Sequence, residues 1–280
     1  MNSLRKEVEM PRKVFRHFEK VNLRSPSMIV GWQEDAGNLA PKVTDFLNEK
    51  LRTRYFCEIK PAEFFSTEGI PVRDDVIQFP ESKFYAVEEK DLVIFKSNSP
   101  TRNWYKFLNS VLDIAQYYCK IKELYTVNGI PAPIAHTVQR RVLTVANHPK
   151  FKKELKKYGL LGMEFEGDPS LSGFLLWVAE RRNIPGISLW EDIPFYLRPF
   201  DDFRAQKRII EFFDQKFNLG IDFYDLEERI KDQDKRIDQL RKEDSEINKS
   251  LRMLEMGISL SGEERFKLVT KVTELLEKRG

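Results

Sequence analysis

The chain reads as an α/β protein: a mostly parallel sheet with helices on both faces, extended at the C-terminal end by a helical hairpin. Three observations predict this. Short apolar runs alternate with amphipathic segments of helix length throughout residues 27–220, the pattern of strands joined by crossover helices. Apolar residues make up 41% of 280 positions, and 21 Phe and 4 Trp supply the bulk for one continuous core. After Gly220 the apolar period becomes a heptad, as in a long helix with a narrow apolar stripe. The expected organisation is a basic lead-in at 1–25, a three-layer α/β/α core at 26–220 and a helical extension at 221–280.

Element by element, Ser27 to Trp32 is an apolar run broken by Gly31, a buried strand entering a turn. Residues 33–38 form the loop, and Leu39, Val43, Phe46, Leu47 and Leu51 then recur at helical spacing. Tyr55 to Ile59 is a strand stopped by Pro61. Residues 68–87, with Gly69, Pro71 and Pro80, suggest a β-hairpin or arm. Asp91 to Phe95 is a further buried strand. Trp104, Phe107, Leu108, Val111, Leu112 and Ala115 trace a helix of about four turns. Ile121 to Val127 is a strand, which Asn128-Gly129 is expected to turn, and 141–146 is another. Helices are expected near 151–158 and 171–182, with Ser170 and Ser172 as candidate N-caps. Ile187 to Trp190 is a late strand, and a helix from Phe203 to Phe217 closes the core.

Beyond it, Leu226, Ile230, Gln233, Ile237, Leu240, Asp244, Ile247, Leu251 and Leu254 step alternately by four and three, an unbroken seam over four heptads. Met256-Gly257 reads as a C-cap. Ser261-Gly262-Glu263-Glu264 is a capping box that opens a last helix, with Phe266, Val269, Val272 and Leu276 on one face. The seam residues Leu226, Ile230, Ile237, Leu240, Ile247, Leu251 and Leu254 are the candidate surface for oligomer or partner contact, because a solvated helix this long draws its stability from burial.

The formal net charge is +3, which gives no global field for nucleic acid. Residues 1–25 hold seven Lys/Arg and three Glu, a basic end expected to be a solvated lead-in, with contact to an acidic partner or surface as the alternative. Cys57 and Cys119 have no CxxC partner and suit a reducing compartment. No h-region follows Met1 and no run of 18 apolar residues occurs, so neither a secretion signal nor a membrane span is expected, and the chain reads as cytoplasmic.

Catalytic chemistry is sparse. The loop Gly31 to Asn38 could hold an anion at a helix N-terminus, but it is neither a phosphate loop nor a GxGxxG fingerprint. His17, His136 and His148 have no metal-ligand spacing. His136 follows a buried strand and precedes Thr137, where a base could activate water or hold a phosphate. Glu164, Glu166 and Asp168 form an acidic loop, and no GxSxG elbow exists. The candidate pocket at the sheet edge is therefore Trp32, Asp35, Gly37, Asn38, His136 and Thr137, with no catalytic set, metal or cofactor expected.

A series of short motifs carries a resemblance. In order they are Pro26 to Trp32 followed by Asp35-Ala36-Gly37-Asn38; Ile59-Lys60-Pro61-Ala62-Glu63-Phe64-Phe65; Asn128-Gly129-Ile130-Pro131 with His136-Thr137; Glu166-Gly167-Asp168-Pro169-Ser170; and Leu189 to Tyr196. Together they make residues 25–225 resemble the proteasome assembly chaperone family, second-chaperone type, in its uncharacterised bacterial and archaeal branch. The resemblance implies an α/β/α sandwich similar to nucleoside phosphorylases, a homo-oligomer of three or more copies, no established catalytic residues, and proteasome-type subunits as protein partners. Some relatives dock through a hydrophobic–Tyr–any-residue tail. This chain ends Glu277-Lys278-Arg279-Gly280, which leaves that route unsupported. The competing expectation is a nucleoside-phosphorylase-like enzyme or ligand binder that uses the sheet-edge loops.

Overall fold

The computed structural model describes residues 14–16, 19–66, 72–73, 75–164 and 170–277. Most of the basic lead-in, His17, Gly69, Pro71, Glu166 and Asp168 fall outside these. The strands are β1 (Phe15–Arg16), β2 (Ser27–Trp32), β3 (Arg54–Ile59), β4 (Val72–Arg73), β5 (Val76–Ile77), β6 (Ser82–Val87), β7 (Leu92–Ser97), β8 (Glu123–Ala132), β9 (Val142–Ala146), β10 (Leu161–Gly162) and β11 (Gly186–Pro194). The helices are α1 (Leu39–Lys50), α2 (Trp104–Asp113), α3 (Phe151–Lys156), α4 (Leu171–Glu180), α5 (Phe203–Phe217), α6 (Tyr224–Glu243), α7 (Ser245–Glu255) and α8 (Gly262–Glu277).

Strand β2 is buried at all six positions, as its unbroken apolar run requires of a strand covered on both faces. It pairs in parallel with β7 on one side and β8 on the other, and β8 pairs in parallel with β11. Nine strands run in the order β1-β3-β6-β7-β2-β8-β11-β9-β10. The expected parallel sheet is thus its centre. The flank β7-β6-β3-β1 is antiparallel, because β6 and β7 are joined by a tight turn over Glu88–Lys90 that closes on left-handed Asp91, and a connection so short allows only a hairpin. Strands β4 and β5 form a separate two-stranded ribbon.

Each sheet face carries its own core, which makes three layers. On one face α1, α3 and α5 share a core with Ile29, Ile94, Tyr125 and Leu189, and the C-terminal helices join that core by packing on α5 and on the turn after β11. On the other, α2 and α4 pack on Met28, Val30, Phe84 and Phe95. Helix α2 continues into a π-helical turn at Ile114–Tyr118.

Three expectations need correction. Asn128-Gly129 does not turn β8, which runs on to Ala132 beside β11, because the Asn128 amide donates to Ser188 Oγ at 2.9 Å and to the Leu189 carbonyl at 3.1 Å. The single helix expected over the heptads is two. Asp244 is extended, and its carboxylate accepts the N–H groups of Glu246 (2.9 Å) and Ile247 (3.2 Å), capping α7 and ending α6. Finally, Phe266 is 75% exposed; Leu268 and Val272 are the buried face of α8.

The chain turns back after α7 as expected. Gly257 is left-handed (φ 72), Ile258 N–H donates to the Met253 carbonyl, and Ser261 and Glu264 exchange two capping bonds of 2.9 and 3.2 Å. The seam folds onto the chain itself. Leu226, Ile237, Ile247, Leu251 and Leu254 are buried in the same core as α1 and α5, with Ile230 and Leu240 packed against it. The polar seam positions also have local duties: Asp244 caps, and Gln233 donates to the Asp201 carbonyl at 2.9 Å.

Candidate functional site

The C-terminal ends of β7, β2, β8 and β11 share one sheet edge, where an open α/β sheet usually receives ligands. Three loops meet there: residues 33–38 after β2, 133–141 after β8 and 195–202 after β11.

In the first loop Asp35 binds backbone. Its two carboxylate oxygens accept the Gly129 N–H at 2.8 and 2.9 Å, and one also accepts the Ala40 N–H at 2.9 Å. These bonds fasten the start of α1 to β8. Burial nevertheless pushes the carboxyl up to about 7, against the pull of the Gly129, Ala40 and Ala36 amides. The fit leaves no room at Gly129, where a Cβ would sit 2.3 Å from the Ala36 carbonyl oxygen. Gly37 (φ 67) and Asn38 (φ 48) take left-handed conformations to make the turn. The Asn38 amide donates to Asp201 at 2.9 Å, and Lys42 bridges the other oxygen of Asp201 at 2.9 Å.

Trp32 faces the opposite core. Its indole N–H donates to Ser172 Oγ at 2.9 Å, Ser172 donates to Asn128 at 2.7 Å, and Asn128 reaches Ser188. This buried relay ties β2, β8, β11 and α4 together. Ser172 is therefore a core linker, and Ser170 alone caps α4 by accepting the Gly173 N–H.

In the second loop the ring of His136 is 1% exposed. Tyr196 OH lies 3.0 Å from its Nδ1 and also accepts the His136 backbone N–H at 2.6 Å, while Nε2 has no hydrogen-bond partner among the described residues. Burial, with the Arg140 and Arg204 charges, lowers this imidazole to about 4, so it is neutral at pH 7. Thr137 is exposed and donates to Glu255 of α7 at 3.2 Å; Glu255 in turn pairs with Arg241 of α6 at 2.7 Å.

The third loop completes a buried polar cluster that sequence reasoning did not single out. Arg140 and Asp202 form an ion pair at 2.8 Å with side chains 3% and 0% exposed, and the other Asp202 oxygen caps α5 through the Ala205 N–H. Nearby Glu191, fully buried on β11, has no hydrogen-bond partner for either oxygen among the described residues; burial holds it well above the usual carboxylate range. The signal available in the sequence was Glu191-Asp192, an acidic pair set between the apolar stretches of β11.

The six expected pocket residues do not gather around one cavity. Asn38 lines a cleft of about 240 Å³ with Asp201, Gln233 and Arg236. Thr137 lines another of about 570 Å³ with Arg140, Arg204 and Lys207. Asp35 and His136 are engaged by backbone and by Tyr196, and Trp32 points into the other core. Ser172 donates to an amide and not to a base, so it is not an activated nucleophile of the triad kind. Among the described residues no group of three or more His, Cys, Asp or Glu could hold a metal ion.

Comparison with known proteins bears on this arrangement. A sequence model of the PAC2 family matches residues 28–241. An uncharacterised protein of Methanocaldococcus jannaschii is 26% identical over 223 residues, covering 76% of this chain and 81% of its own. Among solved structures, Pyrococcus furiosus PbaB, an archaeal proteasome activator, superposes with a TM-score of 0.67 at 20% identity, over 81% of this chain and 98% of that one. A Mycobacterium tuberculosis proteasome-assembly chaperone homologue gives 0.68 at 17%, over 81% and 99%. A second M. tuberculosis protein, of unknown function, gives 0.74 at 15%, over 95% and 97%.

Proposed function

We propose, since this chain belongs to the PAC2 family, that it is a chaperone-like assembly protein without a reaction of its own, which self-associates and binds other polypeptides, proteasome-type subunits among them. One observation carries the reading. The polar groups at the strand edge are spent on holding the fold: Asp35 on two backbone amides, Ser172 and Asn128 on a buried relay, and His136 on Tyr196. An enzyme of this layout would keep such groups free to meet a substrate. The proteasome activator and the chaperone homologue of the same fold support the choice of partner.

The test mixes the purified chain with proteasome α-type subunits and follows ring formation by native mass spectrometry. Ring subunits that co-purify with the chain, or assemble faster in its presence, are the expected result. No complex and no change in assembly rate removes proteasome-type subunits as partners.

A small-ligand reading, with a nucleoside-phosphorylase-like site, is favoured by two buried side chains, since Glu191 and His136 Nε2 lack hydrogen-bond partners among the described residues. A thermal-shift screen with nucleosides and phosphate tests it; a ligand at a hundred times its Kd stabilises by about 2.7 kcal/mol. We take residues 26–220 and 221–280 as core and extension of one folding unit, because they share a core. No described helix is long and apolar enough to cross a membrane.

A further inference from the structure

Two surface features leave large apolar side chains exposed among the described residues. The first is the ribbon of β4 and β5. Val72 and Ile77 are directly opposed in its ladder, and Phe79 follows Ile77 by two residues; the three are 63%, 54% and 62% exposed. Val76 lies opposite Arg73 and is 58% exposed. None of these four apolar side chains joins either core. A lone two-stranded hairpin is at best marginally stable in water, so an apolar one this small needs something to cover it.

The second feature is an aromatic patch where α2 meets α4. Tyr105, Phe174 and Trp177 stand with ring centroids 5.4–6.3 Å apart, and Tyr105 and Trp177 are 55% and 41% exposed. At roughly 150–250 Å² per aromatic side chain, those two alone leave about 200 Å² bare. The Arg181 guanidinium stacks 3.6 Å from the Trp177 ring centre and has no ion-pair partner among the described residues.

We propose that these features fit each other between copies: the ribbon of one copy docks on the α2/α4 aromatic patch of a second copy of this chain. Charge agrees with the apolar match. Asp75 in the turn of the ribbon is exposed, whereas the patch offers Arg181 as its cation. Aromatic and Arg anchors are the residues on which interface energy concentrates. A ribbon on one surface meeting a patch on another is a heterologous contact, so copies add head to tail and close into a ring when the rotation permits. This deepens the self-association in the function proposed above and rests on that reading.

Light scattering after size exclusion tests it with three proteins: the native chain, a ribbon variant (Ile77→Asp with Phe79→Asp) and a patch variant (Tyr105→Asp with Trp177→Asp). Each variant is expected to associate at least about tenfold more weakly, the effect of losing 1.4 kcal/mol at a hot spot. Mixing the two restores a dimer and nothing larger, because one intact ribbon then meets one intact patch. An oligomer that survives either substitution, or a mixture that stays monomeric, overturns the pairing while leaving partner binding untouched. A native chain that is monomeric throughout overturns the pairing together with self-association, and the α-subunit assay still stands alone. Against misfolding of the patch variant, a further variant combines Ile77→Cys with Trp177→Cys. Cys57 and Cys119 are buried, so oxidation should give a ladder of cross-linked multimers; monomer alone counts against the contact.

Discussion

Gly129→Ala is the sharpest test of how the sheet edge is held. The new methyl carbon would lie 2.3 Å from the Ala36 carbonyl oxygen and 3.0 Å from Ile193 Cγ1, whereas carbon–oxygen contacts settle near 3.3–3.6 Å. The obstacle is backbone, which no rotamer change relieves. Ala36 cannot simply withdraw, because its neighbour Asp35 is bound to the Gly129 N–H itself. Relief therefore means parting β8 from the loop by about 1 Å and stretching the bifurcated hydrogen bond from the Gly129 N–H to Asp35. Overpacking costs about 1–3 kcal/mol and the strained hydrogen bond to Asp35 adds to it, so a loss of about 3 kcal/mol is expected. For a chain of this size that lowers the melting temperature by roughly 6–12 °C. Gly262→Ala is the matched control. Nothing lies within 4 Å of its Cβ position, and a gain of about 0.4–1 kcal/mol is expected there. Calorimetric melts of both variants decide the matter. If Gly129→Ala melts within about 2 °C of the native chain, the edge is softer than this clash requires.

Three further outcomes follow from the same geometry. Asp35 keeps its proton up to about pH 7 when folded but loses it near pH 4 when unfolded, so it makes stability fall as pH rises from about 4 to 7 and adds no slope above that. Melts of Asp35→Asn across this window should lack that fall; a constant offset from the native chain would refute the assignment. Arg140→Met leaves the Asp202 charge buried and alone and should cost about 3–5 kcal/mol in urea unfolding. Adding Asp202→Asn, which keeps the acceptor for the Ala205 N–H, should recover part of that loss, and no recovery would mean that charge is not the cause. Asp244→Ala should cost about 1 kcal/mol through the lost cap, with helical ellipticity reduced near the α6–α7 junction; an unchanged melt would show that the junction does not depend on its carboxylate.

Much of the framework was legible because local chemistry and burial agree there. The apolar run at Ser27 to Trp32, the helical spacing from Leu39, the cap at Ser170 and the box at Ser261 all recur in the structure. Asn128-Gly129 misled because it has turn chemistry locally, and only tertiary bonds to Ser172, Ser188 and the Leu189 carbonyl reveal why it stays extended. The heptads misled in a similar way. Their spacing is real, yet a seam cannot say whose surface it meets, and Asp244 has both helix-breaking and capping roles that periodicity ignores. The site was least legible. Arg140, Glu191, Tyr196 and Asp202 are scattered over sixty-two positions, and only the folded sheet brings them to one place.

The elbow at Asp244 also decides what a shortened chain would be. Helices α7 and α8 contribute Ile247, Leu251, Leu254, Leu268 and Val272, each at most 2% exposed. At about 1.5–3 kcal/mol apiece, their burial rivals the whole net stability of an ordinary domain, about 5–15 kcal/mol. The last two helices thus behave as a keystone. Cleavage or a badly placed fusion at the elbow would not trim an appendage but would strip apolar cover from α6 and from the turn after β11, leaving that core open to proteases.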